Sequence, residues 1–158
     1  MSPQVVGYPL TIYYDASCPL CAEEMHALKK YDMRDRLLLI DCSENDFSDD
    51  HTRQASISKE TLMRRIHARD ADGHWLDGVA VFETAYRAAG IESVARLWGD
   101  SRLRSLWDRA YPWVADNLML LSRLGFAKIF GLCISLVARH AEKRSRACIS
   151  SPSCSIGH

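Results

Sequence analysis

The sequence predicts an α/β fold in which a β-α-β unit is followed by a long loop, a β-hairpin and a helix. Three observations predict it: short apolar runs of strand length, apolar residues at helical spacing between charged ones, and a turn signal between two alternating segments. An apolar-rich helical region follows. The 158-residue chain, 47% apolar, is therefore expected to form one α/β core with a C-terminal α-helical extension.

The first predicted unit is the β-α-β segment. Leu10–Tyr14 is an apolar run of strand length, and from Pro19 to about Tyr31 apolar residues recur at helical spacing. Proline suits the first helical position, because the N–H that it lacks has no helical partner there. Residues 37–40 form a continuous apolar run, which predicts a strand covered on both faces. Such a unit is expected to be parallel and right-handed.

A loop and a hairpin are predicted next. The acidic stretch from residue 41 to about residue 58 has no clear period and is expected to be mostly loop, with a short helix near residues 59–63. Apolar and polar residues alternate over residues 65–69, residues 70–73 read Asp-Ala-Asp-Gly, a turn signal, and residues 74–78 read His-Trp-Leu-Asp-Gly. Together these segments predict a β-hairpin.

A helix closes this part of the chain. Apolar residues fall at i, i+3, i+4 and i+7 from Phe82 to Ala89, and Gly90 stands at the position of a C-cap glycine. The predicted order of the first 90 residues is therefore β-α-β, loop, β-β-α. This is the order of elements in the thioredoxin fold.

The later part of the chain is predicted to be helical. Apolar spacing from Leu103 to Ala110 indicates one helix, Tyr111-Pro112 a break, and residues 113 to about 140 one or two long apolar-rich helices. No Gly/Ser/Pro-rich linker separates these helices from the preceding core. They are therefore expected to pack on it.

These patterns predict three regions. A thioredoxin-like domain is expected over residues 8–90, a helical extension packed on it over residues 91–141, and a poorly ordered tail over residues 142–158.

Charge and hydropathy exclude several classes of partner. The 20 basic and 20 acidic residues balance, so no net field attracts nucleic acid or an anionic membrane. The first residues lack the basic flank and apolar core of a secretory signal, which favours a cytoplasmic location. The longest uncharged apolar-rich piece, residues 129–138, is well short of the roughly 20 residues that span a bilayer. Peripheral membrane contact is the lesser alternative.

One Cys-x-x-Cys, Cys18-Pro19-Leu20-Cys21, lies directly after the first predicted strand and at the start of the helix. Residues three apart in the first turn share one face, close enough for a disulfide. The helix dipole and the free N–H groups favour a thiolate on Cys18, with a pKa below the roughly 8.5 of a free cysteine. Cys18 is the candidate nucleophile and Cys21 the resolving thiol. Pro19 removes one N–H and is expected to tune the redox potential.

Asp15, three residues before Cys18, allows two interpretations. As a proton acceptor for Cys21 acting through water, it takes part in the chemistry. As a loop residue, it bonds nearby backbone N–H groups. In either role a carboxylate close to Cys18 raises the pKa of that thiol.

The other cysteines are given structural interpretations. Cys42 follows the second strand, so it lies at the sheet edge that carries the dithiol; it is interpreted as a partly buried bystander, with a third redox thiol as the alternative. Cys133 is assigned to the core of the apolar helix. Cys148, Cys154 and His158 lie in the tail at loose spacing.

Two alternatives to dithiol redox chemistry remain. The first is a zinc module that uses Cys18 and Cys21 with Cys42 or the tail cysteines, although a zinc site usually takes its other two ligands from a second close pair, and the later cysteines form none. The second is a non-catalytic domain in which the dithiol is a redox switch.

His26 and His67 are interpreted as surface residues, and the four tryptophans, Trp75, Trp98, Trp107 and Trp113, as core or interface residues.

At residues 14–21 the chain resembles the DCC family of thiol-disulfide oxidoreductases, whose signature is Asp-x-x-Cys-x-x-Cys after the first strand. Asp15, Cys18 and Cys21 match that signature. Residues 66–73, which lead to Gly78, and residues 111–115 match two further stretches, so the resemblance covers roughly residues 10–124. It implies a thioredoxin-like fold and thiol-disulfide exchange.

The implied reaction needs no bound cofactor. Electrons would come from glutathione or a partner reductase, and the substrate would be a disulfide- or thiol-containing protein or small molecule. Nucleotide cofactors are not indicated, because the chain has no Gly-rich phosphate loop. Thioredoxins and glutaredoxins carry a cis-proline before the third strand, whereas here no proline lies between Pro19 and Pro112. Substrate docking is therefore expected to use another arrangement.

Overall fold

The computed structural model describes residues 6–117 and 120–121, and it confirms the predicted α/β class and the thioredoxin-like core. The described strands form one sheet in the order β2-β1-β3-β4. Strand β1 is parallel to β2 and antiparallel to β3, and β3 pairs antiparallel with β4. The strand bounds are β1 Leu10–Tyr14, β2 Leu37–Asp41, β3 His67–Arg69 and β4 Trp75–Asp77.

Helices connect and cover these strands. Helix α1 joins β1 to β2, the short α2 and α3 lie between β2 and β3, and α4 follows β4. Helices α5 and α6 both contact α4. The predicted division into a domain over residues 8–90 and a helical extension over residues 91–141 stays a prediction. The helix bounds are α1 Pro19–Tyr31, α2 Asp50–Gln54, α3 Lys59–Arg64, α4 Val79–Ala88, α5 Glu92–Gly99 and α6 Arg104–Asp116.

The central strand β1 divides the core between two hydrophobic clusters. Leu10, Ile12 and Tyr14 alternate along β1 and belong to the larger cluster, which includes α1 and α4 residues. Tyr13, between them, belongs to a smaller cluster with Cys42 and Leu62. Because successive strand side chains point to opposite faces, this alternation places one cluster on each side of the sheet.

The end of α1 is anchored to β2 by the buried Asp32. Its carboxylate accepts hydrogen bonds from the backbone N–H groups of Arg36 and Leu37 at 2.9 and 2.8 Å, and from the Lys29 ammonium at 3.1 Å. Burial by itself would raise the pKa of Asp32, but these donors hold it below its usual range. The anchor therefore sets where β2 begins after α1.

The hairpin and the end of α4 agree with their sequence signals. Strands β3 and β4 pair as predicted, and Gly73 in the turn has a φ of +93°. Gly90 follows α4 with a φ of +78°, and the Ile91 N–H bonds the Tyr86 carbonyl at 2.9 Å across the helix end. Glycine adopts this left-handed conformation without a Cβ penalty.

The loop predicted over residues 41–58 contains a helix, α2. Asp49 caps its start by accepting a hydrogen bond from the Thr52 N–H at 2.9 Å, and Thr52 is buried. A helix of five residues is too short to show a periodic apolar pattern, and so the sequence signal missed it. The short helix predicted near residues 59–63 is present as α3.

The predicted break at Tyr111-Pro112 is wrong, because α6 continues through both residues to Asp116. Tyr111 is held on two sides: its hydroxyl oxygen accepts a hydrogen bond from the Ile66 N–H at 3.3 Å, and its ring meets Phe82 edge-on. These contacts hold the helix in place at a proline that removes one backbone donor.

Two exposure predictions are also wrong. Strand β2 lies at the edge of the sheet and Leu38 is 45% exposed, so β2 is not covered on both faces. His67 is buried rather than on a polar surface, and its Nδ1 lies 2.8 Å from the Arg65 carbonyl oxygen. His67 begins β3, which is an inner strand of the sheet.

Several predictions fall on residues that are not described. They are the long apolar helix beyond residue 121, the core position of Cys133 and the tail with Cys148, Cys154 and His158. Within the described residues, no helix is both long and apolar enough to cross a membrane.

Candidate active site

The Cys-x-x-Cys lies where β1 passes into α1, as predicted. Cys18 is the N-cap residue of α1, with an extended backbone, and Pro19 occupies the first helical position. The Cys18 N–H bonds the Asp15 carbonyl at 3.3 Å, and the Cys18 carbonyl accepts from the Ala22 N–H at 3.0 Å. Cys18 and Cys21 are both free thiols. The nucleophile candidate thus faces the open N–H groups of the first helical turn.

Cys18 is the more acidic thiol of the pair. Its pKa is lowered to about 6, first by the hydrogen-bonding thiol of Cys21 and also by the backbone N–H groups of Cys21 and Leu20. Burial and the charge of Asp15 oppose this effect. At neutral pH Cys18 is mostly a thiolate, the form that attacks disulfides.

Cys21 has the opposite shift. Its pKa is raised, first because its proton is held in the hydrogen bond to Cys18, and further by burial and by the negative charges of Cys18, Glu24 and Asp15. One hydrogen bond therefore divides the roles, because it leaves the charge on Cys18 and the proton on Cys21.

Asp15 organises the loop before the dithiol. Its Oδ1 accepts hydrogen bonds from the Ser17 N–H at 2.9 Å and from the Ser17 hydroxyl at 2.5 Å. This is the loop role that one interpretation assigned to it. A role of Asp15 as proton acceptor for Cys21 stays a prediction.

Asp41, which the sequence reasoning did not single out, holds the same loop from the β2 side. Its Oδ1 accepts from the Ala16 N–H at 3.1 Å and from the Ser43 N–H at 2.8 Å. Burial acts to raise the pKa of Asp41, but these bonds hold it below its usual range. Its position at the end of β2 could have pointed to this role. Strands β1 and β2 are parallel, and Asp41 lies opposite Tyr14, directly before the dithiol loop.

Cys42 is not part of the dithiol site. Its side chain is fully buried in the smaller cluster, against Tyr13 and Leu62, whereas Cys21 packs against the larger cluster. Burial raises the pKa of the Cys42 thiol to about 12. The prediction of a partly buried residue is wrong in degree, and burial together with the nearby charge of Asp41 disfavours the Cys42 thiolate.

A cavity of about 450 Å³ adjoins Cys21. The described part of its wall comes from the dithiol loop and from α1, α3, α4, α5 and α6, and it is almost entirely apolar. Among the residues of this wall are Cys21, Glu24, Phe82, Trp98, Tyr111 and Trp113. Of the four tryptophans, Trp113 is 62% exposed and contributes to the cavity rather than to a core.

Glu24 is a buried acid in the wall of this cavity, and the sequence reasoning missed it. It accepts a hydrogen bond from the Tyr86 hydroxyl at 3.2 Å, and burial raises its pKa to about 8. The signal was its spacing: Glu24 lies three residues after Cys21 and four before Leu28, on the apolar face of α1.

The metal interpretation gains no support from the geometry. Within residues 6–117 and 120–121, the single group of three potential ligands close enough to share an ion is Asp70, Asp72 and His74, in the hairpin turn. Cys18, Cys21 and Cys42 form no such group in this part of the chain.

Comparison with known proteins agrees with the site. The profile of the DCC1-like thiol-disulfide oxidoreductase family matches residues 12–124. An uncharacterised chloroplastic protein of Arabidopsis thaliana is 27% identical over 156 residues, which are 98% of this chain and 69% of the plant protein. No solved structure shows significant similarity to this chain. The family match spans most of the chain, including the dithiol and α6, and the chain therefore belongs to the DCC1-like thiol-disulfide oxidoreductase family.

Proposed function

We propose that this protein catalyses thiol-disulfide exchange, with Cys18 as the nucleophile and Cys21 as the resolving thiol. The observation that carries the proposal is the place of the two thiols at the start of α1, with Cys18 as the N-cap residue and Cys21 three residues later in the first turn. The pKa, lowered at Cys18 and raised at Cys21, supports it. The same helix start supplies the Leu20 and Cys21 N–H groups that stabilise the attacking thiolate.

The reaction proceeds in two displacements. The Cys18 thiolate attacks one sulfur of a substrate disulfide, forms a mixed disulfide and releases the other substrate sulfur as a thiolate. Cys21 then loses its proton and attacks the Cys18 sulfur, which forms the Cys18–Cys21 disulfide and releases the second substrate thiol. Two electrons pass from the dithiol to the substrate.

The cycle closes when the Cys18–Cys21 disulfide is reduced by glutathione or by a partner reductase. The substrate is a disulfide- or thiol-containing protein or small molecule, and the exchange needs no bound cofactor. The sequence favours a cytoplasmic location, whereas the plant relative is named as chloroplastic. A reducing cytoplasm and a reducing stroma would both support this direction of electron flow.

Asp15 and Pro19 both act on the Cys18 nucleophile. Asp15 orders the turn through Ser17, and its charge limits how far the pKa of Cys18 falls. Pro19 begins the helix with no N–H of its own, so Leu20 and Cys21 supply the donors. Pro19 thereby moderates the stabilisation of the thiolate, as the sequence reasoning expects.

The test is a thiol-alkylation titration of the full chain against pH and redox potential. Wild type should show a thiolate at Cys18 with a midpoint near pH 6 and a reversible disulfide that joins only Cys18 and Cys21. The Cys21→Ser variant should titrate at a different pH, because its serine hydroxyl replaces the thiol that donates to Cys18. A Cys18 that titrates near the free-cysteine value, in a pair that resists oxidation, would overturn the proposal.

Steady-state turnover separates an enzyme from a redox switch. With glutathione and a small disulfide, an oxidoreductase should reduce many equivalents of substrate per chain. A single reversible oxidation without turnover would show a switch instead. Metal analysis of protein purified without chelator completes the test, because a zinc ion lost on Cys18→Ser would favour the metal module.

A further inference from the structure

Glu24 is a buried ionisable group three residues after Cys21 on α1, and the proposed reaction has so far not used it. It retains 9% of its accessible surface, and none of the ion pairs formed within the described residues includes it. Its exposed neighbour Glu23 lies on the other side of α1. A carboxyl group buried without a cation is costly to ionise, so its position calls for a reason.

The cavity connects Glu24 to the chemistry. Glu24 and Cys21 contribute to the wall of the same cavity, one helical turn apart. Asp15 also reaches this wall, but its Oδ1 already accepts two hydrogen bonds from Ser17. The Glu24 carboxyl receives a hydrogen bond from the Tyr86 hydroxyl. That bond favours the charged form that burial disfavours.

We propose that Glu24 accepts the proton of the Cys21 thiol when Cys21 resolves the mixed disulfide. This inference rests on the proposed function and assigns a residue to its second displacement. The Cys21 thiol gives its proton to the Glu24 carboxylate, and the sulfur electron pair forms the bond to Cys18. The bond between Cys18 and the substrate sulfur breaks, and the departing thiolate takes the proton from Glu24. The net change is one disulfide formed within the protein and one substrate thiol released.

The electrostatics favour this order of events. In the reduced protein burial raises the pKa of Glu24, and the charge of the Cys18 thiolate raises it further, so both favour the protonated carboxyl. Once Cys18 is bonded to substrate, its sulfur carries no charge, and the carboxylate forms more readily. Glu24 therefore becomes a base at the stage at which Cys21 has to lose a proton. A carboxylate beside Cys21 also disfavours a second negative charge there, so proton transfer replaces simple ionisation.

Other titratable groups face the same space, and they have to be considered in any pH profile. On the cavity wall they are Tyr14, Asp15, Cys21, Arg64, Arg65 and Tyr111, with Tyr86 and Cys18 acting on Glu24 itself. Burial raises the pKa of each of the three tyrosines Tyr14, Tyr86 and Tyr111, which removes them from the neutral range. Glu24 remains the buried group that titrates near pH 8.

Single-turnover reduction of 5,5′-dithiobis(2-nitrobenzoate) separates the two displacements. Attack by Cys18 releases one coloured thiolate, and resolution by Cys21 releases the second. The trace of a Cys18→Ser/Cys21→Ser double variant measures the reaction of the remaining cysteines and is subtracted. Glu24→Gln should leave the first phase unchanged and slow the second by at least about tenfold between pH 7 and 8, because general bases contribute about 10²–10⁴-fold.

Three further variants keep the test independent of folding. Glu23→Gln removes a charge from the same helix outside the cavity and should behave as wild type. Tyr86→Phe removes the hydrogen bond that stabilises the Glu24 carboxylate, so it should shift the pH midpoint of the second phase upward. Glu24→Asp keeps a carboxyl group, so the rate of its second phase should still depend on pH.

The outcomes distinguish this inference from the proposed function. If wild type releases only one equivalent, the function itself fails. If wild type shows both phases and Glu24→Gln matches Glu23→Gln, the role of Glu24 is overturned. A slow second phase in Asp15→Asn together with a normal one in Glu24→Gln would also overturn it, because it would assign the proton to Asp15.

Discussion

Cys18 and Cys42 are both buried, yet their thiols have opposite properties. Cys18 retains 2% of its accessible surface and Cys42 retains none, but the pKa of Cys18 is lowered to about 6 and that of Cys42 is raised to about 12. The Cys21 thiol and the backbone N–H groups of Leu20 and Cys21 lower the pKa of Cys18. Cys42 is surrounded by apolar side chains of the smaller cluster and donates weakly to the Ile40 carbonyl. Neighbouring donors, rather than the degree of burial, account for the difference between the two pKa values.

The same distinction holds for two buried carboxyl groups: that of Glu24 in α1 and that of Asp32, the residue directly after α1. Asp32 has two backbone N–H donors and the Lys29 ammonium, and its pKa is lowered. Glu24 has the Tyr86 hydroxyl and no cation, and burial raises its pKa to about 8. The four predictions that follow test this comparison, from the largest expected effect to the smallest.

The largest effect is expected on exchange itself. Cys18→Ser should lower the rate of disulfide reduction by at least about 10³-fold, because a serine hydroxyl does not ionise at neutral pH and is a far weaker nucleophile. Cys42→Ala should leave the rate unchanged, because Cys42 lies in the other cluster. Turnover of a small disulfide measures both variants. Loss of exchange in a correctly folded Cys42→Ala protein would contradict the division between the two thiols.

Glu24→Gln should stabilise the reduced protein at high pH. The pKa of Glu24 is raised on folding, so its contribution to stability is complete below about pH 4 and is lost as pH rises through about 8. At pH 9 the variant should gain on the order of 2–4 kcal/mol over wild type, since one pKa unit corresponds to about 1.36 kcal/mol. Urea unfolding at pH 9 measures this difference in the free energy of unfolding. Exposed Glu23→Gln is the control, and equal stability of the two variants at pH 9 would refute the buried charge.

The Asp32→Asn substitution should change stability in the opposite direction, lowering the free energy of unfolding. The pKa of Asp32 is lowered on folding, so its stabilisation is present above its unfolded pKa of about 3.9 and is lost as pH falls through the folded value. At pH 7 the variant should lose about 1–3 kcal/mol, the usual effect of weakening hydrogen bonds to a charged group. The difference should vanish in strong acid. A deficit that persists there would indicate lost packing instead.

The smallest effect is expected for Asp15→Asn. Asparagine retains an oxygen for the Ser17 N–H, but it removes the negative charge that raises the pKa of Cys18. The midpoint of Cys18 alkylation should therefore move to lower pH, by less than about one unit for a solvated charge. Iodoacetamide reactivity against pH measures the shift. An upward shift would mean that loop order, rather than charge, is the larger contribution of Asp15.

The local elements were predictable where a periodic pattern was long enough. Strand β1, helix α1, the hairpin and the Gly90 cap follow from apolar spacing, proline at the first helical position and glycine in the turns. The short helix α2 was missed because its five residues are too few to show a periodic apolar pattern. The continuation of α6 through Pro112 was missed because contacts of Tyr111 with Ile66 and Phe82, distant in sequence, hold the helix together.

By itself the sequence determined the class of the fold and the place of the two candidate thiols at the start of α1, because strand, helix start and Cys-x-x-Cys are local and act through neighbouring backbone groups. Only the tertiary structure decided the rest of the site. Asp41 reaches the dithiol loop because β2 pairs with β1, and Glu24 meets Tyr86 because α1 and α4 pack against each other in one core. Burial, and with it the pKa of Cys42 and Glu24, depends on those long-range contacts, which residue spacing does not record.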